Sequence, residues 1–375
     1  MLHNARYEGF SYYEVRYEVH NIIVLSWKMM RISAALLHQN DCLRQSINRE
    51  FAGLRGNGLP KYKRAMNSYH EDLLRSLESN DKALMQVFGP AERGVVNHLR
   101  LTFGIGLGDV YDGLGSLWRH LAKDWTPEGT TLQRGFRERI VDIVLEECRA
   151  QQQQQQQQDH LFRVLVPGCG QGRLAYTLAS ALREERAHVT GLEQSEATLA
   201  LAWHMLDPLS ESLRFCPFLD AFANNGERTG RTAAYTAPDV AAAERHAVAE
   251  SANLTLRSDV FTRASRRPHH HVVVTSFLLD CVEDLTDGVR AVHDALLPGG
   301  LWVFAGPLHY YQGGDYVPKP APTLQELLLL ASDLGFELAE GRPPERVPAP
   351  YVPRPGTFMH EAAWNVPLFA CRKLG

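Results

Sequence analysis

Val164-Leu165-Val166-Pro167-Gly168-Cys169-Gly170-Gln171-Gly172-Arg173-Leu174 is an apolar run that breaks into three glycines at alternate positions and then into a helical pattern. The order reads as strand, tight turn, helix start. Glycine at such a turn reaches backbone angles closed to other residues and lets a ligand approach the main chain. The helix that follows offers unpaired N–H groups and the positive end of its dipole. A nucleotide-like cofactor suits this arrangement, and a purely structural turn is the alternative. The next expected strand, His188–Leu192, ends at Glu193. That is about 20 residues beyond the glycines, where a carboxylate can accept both hydroxyls of a ribose.

Outward from the turn the spacing predicts strand at 163–166, helix at 174–182, strand at 188–192 and helix at about 196–205, the alternation of a doubly wound α/β sheet. Further strands are expected at Leu254–Arg257, followed by Asp259 and Val260, and at Val272–Phe277, followed by Leu278-Leu279-Asp280. A helix at 288–297, a stop at Pro298-Gly299-Gly300 and a strand at 301–305 come next, then Gly306-Pro307-Leu308-His309-Tyr310-Tyr311. A helix over 323–334 and a strand over 366–372 close the pattern, and the proline-rich stretch 343–355 reads as a loop. Right-handed crossovers put a ligand at the carboxyl ends of the strands, just where the acidic residues recur. The polar, alanine-rich residues 207–250 read as an insertion over the site. His269-His270-His271 precedes a strand at its opposite end and lacks a further ligand at metal spacing, so no metal is expected.

Ahead of the sheet, residues 1–150 are expected to be mainly helical. Residues 1–45 have no clean periodicity, 46–96 suggest one or two amphipathic surface helices, and Thr126 with Pro127 forms a helix start running to about Cys148. Gln151–Gln158 is a run of glutamines with no apolar surface, read as a linker, and 159–375 is the expected catalytic domain. The chain has 375 residues, 45% hydrophobic and 22% charged, with net charge -4 and a pI near 6.5. This offers a full core and no electrostatic case for nucleic acid or an anionic membrane. Six scattered cysteines read as reduced thiols, and the N-terminal apolar run Ile22–Trp27 is far short of a membrane span. The expected address is the cytoplasm, with the nucleus as an alternative.

A glycine turn, an acid after the second strand, Asp259 after the third and Pro-Gly-Gly before the fifth describe an S-adenosyl-L-methionine site better than a dinucleotide site. Gly168, Gly170 and Gly172 are spaced GxGxG, not the GxGxxG of dehydrogenases. Methyl transfer asks a protein to exclude water, align the nucleophile and keep it unprotonated.

The segment from Leu165 to Leu174, with proline where most methyltransferases carry an acid, resembles the signature of the carnosine N-methyltransferases. Asp124-Trp125-Thr126 with Gly129 is similar to the family's Asp-Trp-Ser segment, and Ser276-Phe277-Leu278-Leu279-Asp280 to its Phe-Phe-Ile-Asp run. Leu297-Pro298-Gly299-Gly300-Leu301-Trp302 and Gly306-Pro307-Leu308 resemble its Lys-Pro-Gly-Gly-Ile-Trp and Gly-Pro-Leu segments, so that the likeness covers about residues 50 to 373. It implies a class I methyltransferase fold that moves a methyl group from S-adenosyl-L-methionine to the imidazole of carnosine, giving anserine.

The resemblance implies that Gly168, Gly170, Glu193, Asp259, Val260 and Ser276 hold the cofactor. His120 and Lys123 stand where the family has a glutamine and an arginine that close its pocket. Asp280 matches the family's aspartate and would bind an amine or imidazole N–H; a helix cap is its alternative role. The family histidine lies at the position of Tyr311, while this chain's histidine is His309; near the C-terminus Ala362, Ala363 and Trp364 replace family tyrosines. Asp280, His309 and Tyr311 are therefore the expected catalytic set, with Trp364 joining them on the substrate. These departures leave open a related imidazole, a histidine-containing peptide, another small molecule or a protein histidine as acceptor. A NAD-dependent oxidoreductase and an inactive binding module are the rival classes. The expected partner is a small molecule or peptide bearing an imidazole, neither nucleic acid nor membrane, with a homodimer left open.

Overall fold

The computed structural model describes residues 12–52, 60–89, 113–154, 161–264, 268–310, 321–351, 358–359 and 363–375, with 12–31 described by backbone alone. Two compact units, 1–114 and 115–375, divide the chain. The first contains helices α1 (Tyr12–Ala52) and α2 (Pro60–Phe88). Residues 12–45, which show no periodicity to the eye, are thus helical. Leu36, Leu37, Ile47 and Phe51 of α1 are buried, as are Leu73, Leu77, Leu84 and Phe88 of α2, whose spacings of four and seven put them on one helix face. Asn40, fully buried, donates to Asp81 Oδ1 (2.7 Å) and to the Leu77 carbonyl (3.2 Å), and Arg44 pairs with Asp81 at 2.8 Å. The Asn40 amide nitrogen and the Asp81 carboxylate thus find partners across the α1–α2 seam, whereas Asn40 Oδ1 has none among the described residues.

Two helices lead into the second unit, α3 (Gly113–Trp125) and α4 (Pro127–Gln154). Thr126 separates them: its hydroxyl donates to the Ala122 carbonyl (2.6 Å) and accepts from Gly129 N–H (3.2 Å), while Pro127 occupies a first-turn position that needs no N–H donor. α4 runs past Cys148 into the glutamines, through Gln154. Glutamine is a good helix former, and extending a helix already formed carries no nucleation cost.

The first strands are β1 (Phe162–Pro167) and β2 (Ala187–Glu193), followed by the short β3 (Leu213–Phe215) and β4 (Tyr235–Ala237). After them come β5 (Leu254–Ser258), β6 (His270–Ser276), β7 (Leu296–Ala305), β8 (Phe336–Leu338), β9 (Glu345–Pro350) and β10 (Ala363–Lys373). The main sheet among the described residues has the order β5-β2-β1-β6-β7-β10-β8, with β9 on β10. β1 pairs in parallel with both β2 and β6, and β10 runs antiparallel to β7, β8 and β9. Val164, Leu165 and Val166 are all buried, as an inner strand covered on both faces requires. Between the strands stand α5 (Arg173–Ala181), α6 (Glu196–Leu206), the single turn α7 (Thr229–Thr232) and α8 (Ala242–Ser251). Another single turn, α9 (Phe261–Ala264), then α10 (Leu285–Ala295) and α11 (Leu324–Asp333) follow, and the longer helices supply the cover. The chain winds from β1 through β2 to β5 and then crosses to β6 on the other side, so the crevice lies at the carboxyl ends of β1 and β6. This is the class I methyltransferase sheet. Among the described residues no helix is long and apolar enough to cross a membrane.

Several sequence expectations need correction. Pro298-Gly299-Gly300 does not stand before the strand but lies inside β7, where the pairing with β6 shifts register and Gly299 takes φ +75°. The proline-rich stretch holds a strand, because β9 is an edge and an edge position tolerates the missing N–H groups of Pro348 and Pro350. His270 and His271 lie within β6; His271 Nδ1 accepts from Arg163 N–H (3.0 Å) and its ring stacks on Phe162. The insertion is built rather than loose: β3 and β4 form an antiparallel pair, with Phe215 stacked on Trp118 of α3 at 5.2 Å.

Candidate cofactor and acceptor site

The glycine turn adopts the conformation that only glycine takes readily, with φ +60° at Gly168, +56° at Gly170 and +80° at Gly172. A Cβ on Gly168 would come within 2.6 Å of Leu278, whereas one on Gly170 would meet nothing within 4 Å. The turn is thus closed by Leu278, just past β6, at its first glycine and faces open space at its second. Glu193, at the carboxyl end of β2, accepts from Gly170 N–H (3.0 Å) and from Ser195 N–H (2.8 Å). Asp259 N–H donates to the Glu193 carbonyl (3.2 Å), and the Asp259 side chain accepts from Val260 N–H (2.8 Å). Ser276 closes β6 opposite Ala305 of β7. Gly168, Gly170, Glu193, Asp259, Val260 and Ser276 therefore line one carboxyl edge.

His120 and Lys123 project from α3 onto a residue that sequence reasoning missed, Tyr351. His120 Nε2 lies 2.9 Å from the Tyr351 hydroxyl, and Lys123 Nζ lies 4.9 Å from the Tyr351 ring centroid and 5.9 Å from that of Phe277. Burial, and next Lys123, lower the His120 pKa to about 4, so this imidazole is neutral at physiological pH. Asp124 behind it is opposed by burial, but Lys123 at 3.5 Å and Arg137 at 2.8 Å hold its carboxyl below the usual range. Phe277, next to Ser276, takes φ +52°, and a Cβ on Gly306 would be 2.9 Å from its nitrogen. A non-glycine residue in the left-handed region is strained, and the missing Cβ of Gly306 leaves its backbone the room it needs. Tyr351 was hidden by the prolines around it, which disguise the strand it follows.

Asp280 does not close a strand; it sits in a turn four residues beyond Ser276, only 9% exposed. Burial raises its pKa to about 6, against opposing pulls from a backbone N–H, His309 and the Cys281 thiol. The capping role for Asp280 is taken instead by Asp284, which accepts from Thr286 N–H (2.7 Å) and Asp287 N–H (3.3 Å) at the start of α10. His309 is exposed, with its ring 5.6 Å from that of Trp364 on β10. Tyr310, unremarked in the sequence, donates to the Pro322 carbonyl (2.9 Å); burial, then Asp280 and Glu326, push its pKa up to about 12. Tyr311 and Ala362 lie outside the described residues. A buried carboxylate, an imidazole and an indole at one edge can orient a flat nitrogen heterocycle and stabilise positive charge on it.

The sequence model of the family described as carnosine N-methyltransferase matches residues 110–373. "Carnosine N-methyltransferase unmet" of Drosophila melanogaster is 25% identical over 259 residues, 68% of this chain and 53% of that protein. The carnosine N-methyltransferase of Schizosaccharomyces pombe is 24% identical over 246 residues, 61% of this chain and 63% of that protein. The chain thus spans between half and two thirds of the length of these relatives. Among solved structures, the magnesium protoporphyrin IX methyltransferase of Synechocystis PCC 6803 with bound SAH is 12% identical, covering 75% of this chain and 98% of that one at a TM-score of 0.39. With the family match running from just before α3 to the last residue of β10, this chain belongs to the carnosine N-methyltransferase family.

Proposed function

We propose that the protein transfers a methyl group from S-adenosyl-L-methionine to a ring nitrogen of an imidazole, in carnosine or in a related histidine-containing peptide. The observation that carries this reading is the nearly buried Asp280 with His309 beside it, on the same sheet edge as the glycine turn. The residues present fit the cofactor. The open face at Gly170 leaves room against the main chain, Glu193 offers a fixed carboxylate for a ribose diol, and the Asp259 side chain, oriented by Val260 N–H, would lie beside the adenine.

When bound, S-adenosyl-L-methionine supplies a methyl group already activated by its sulfonium. Asp280, ionised above pH 6, accepts from one ring N–H of the acceptor and so turns the other nitrogen's lone pair toward the carboxyl edge. As positive charge grows on the ring, the same carboxylate stabilises it in a site of low dielectric and can take the N–H proton that the methylated ring gives up, with S-adenosylhomocysteine as the other product. An imidazole with a pKa of about 6.5 is mostly neutral at pH 7.5, so the chain needs no strong base. Trp364, standing where the family has a tyrosine, would offer the acceptor an indole face beside the His309 ring.

Incubation with labelled S-adenosyl-L-methionine and either carnosine or histidine peptides, followed by mass spectrometry, tests the reading. Methylated imidazole is the expected product. Label on another atom, or none on any imidazole, would count against it.

A further inference from the structure

The glycine turn is held in part by contacts that arise outside the β1–β2 unit. Three glycines supply no side chains of their own to lock Gly168–Gly172, and such a backbone loses more freedom on ordering than any other. Glu193 fixes Gly170 N–H from within. Within the same unit Cys169 N–H donates to the Leu192 carbonyl (2.9 Å) and Gly172 N–H to the Cys169 carbonyl (3.0 Å). Further clamps come from α3 and the insertion. The Trp125 indole N–H donates to the Gln171 carbonyl (2.8 Å), and the Gln171 amide donates to the Leu117 carbonyl (2.9 Å). Arg173, the residue after the last glycine, lays its guanidinium 4.8 Å from the Trp125 ring centroid and pairs with Asp239 at 2.5 and 3.3 Å. Asp239 N–H donates to the Trp125 carbonyl (2.8 Å), which closes the circuit.

This ion pair is poorly placed to serve stability. A cation in the first turn of α5 opposes the helix dipole, and a pair with side chains 10% and 9% exposed gives back most of its attraction as desolvation. What the pair does fix is position: it ties the residue that ends the turn to the far side of the insertion.

We infer that Asp239 is a positioning residue for the cofactor, acting through Arg173 and Trp125 to hold Gly168–Gly172 in its binding shape. The insertion thereby sets cofactor affinity from outside the cofactor crevice. The inference rests on the S-adenosyl-L-methionine reading above. Holding the turn in advance removes an ordering cost that binding would otherwise bear.

Calorimetry with S-adenosylhomocysteine, on full-length protein shown to be folded by circular dichroism, tests it. Asp239→Asn keeps the shape, removes the charge and is expected to weaken binding by at least about tenfold, with Asp239→Glu recovering most of the loss. Asp220→Asn breaks another ion pair of the same insertion, to Arg119 of α3 at 2.8 Å, and is expected to leave affinity within about twofold. A merely structural role would lower the thermal midpoint of Asp239→Asn and leave the affinity of the folded protein alone. Should Asp239→Asn fail to fold, Arg173→Lys keeps the charge, loses the two-pronged contact and is expected to cost about threefold or more in affinity. Unchanged affinity in the folded Asp239 or Arg173 variant, or an equal loss in Asp220→Asn, overturns the inference. Failure of the unaltered protein to bind S-adenosylhomocysteine overturns instead the reading on which it rests.

Discussion

Asp280 carries a signature of its role that needs no substrate to detect. A carboxyl whose pKa is raised on folding favours the native state while protonated and opposes it once ionised. With an ordinary value of 3.8 and a folded value of about 6, the penalty is absent below pH 4, grows between pH 4 and 6 and is complete above. A rise of that size corresponds to about 3 kcal/mol. Asp280→Asn should therefore be more stable than the parent at pH 8 by up to about 3 kcal/mol, with the difference gone at pH 4, and it should lose at least about tenfold in imidazole methylation. Denaturant midpoints at the two pH values decide the first part; a gap of equal size at both would sink it. His120 works in the opposite sense. Its folded pKa of about 4 lies below the unfolded 6.5, so the stability it brings is whole above pH 6.5 and is lost as pH falls through 4. His120→Gln, which does not titrate, should flatten that acid limb in a series of melting curves, and parallel losses in both proteins would refute the assignment.

At the scale of elements, what the sequence made legible follows from where each side chain ends up. β1 and its turn were readable because an inner strand is apolar without interruption and its turn needs glycine. β9 was not, because Pro348 and Pro350 disqualify an inner strand and only the edge position excuses them. α1 hid its register because its long helix mixes tyrosines, histidines and apolar residues over 41 positions. In the candidate site, Glu193 and Asp259 could be seen from their places after strands. Asp280 could be seen too, but its competition with Asp284 for the cap could not, since both precede the same helix. Tyr310 and Tyr351 gave no signal beyond being aromatic. The junction of α3 and α4 was legible from Thr126-Pro127, and it makes a prediction. Thr126→Ala removes a buried hydroxyl with two partners and should cost about 1 to 2 kcal/mol by chemical denaturation. A change under about 0.5 kcal/mol would show the cap to be idle.

Taken whole, the second unit contains every described residue of the candidate site, so ligand linkage should act on that unit. S-adenosylhomocysteine at about a hundred times its dissociation constant should add about 2.7 kcal/mol, which for a unit of this size raises the melting temperature by roughly 5 to 10 °C. Where calorimetry resolves two transitions, only the one belonging to residues 115–375 should move; a shift in both would mean that ligand binding is linked to the melting of both units. The sheet's far side carries a different consequence. β8 and β9 have β10 as their strand partner among the described residues, and β10 also covers the edge of β7. Without β10, β8 and β9 therefore lose that partner, and β7 is left with Val303 and Phe304 on an open edge. A chain cut before residue 363 would present a sticky, half-finished sheet, the kind of surface that chaperones hold and that other chains can join.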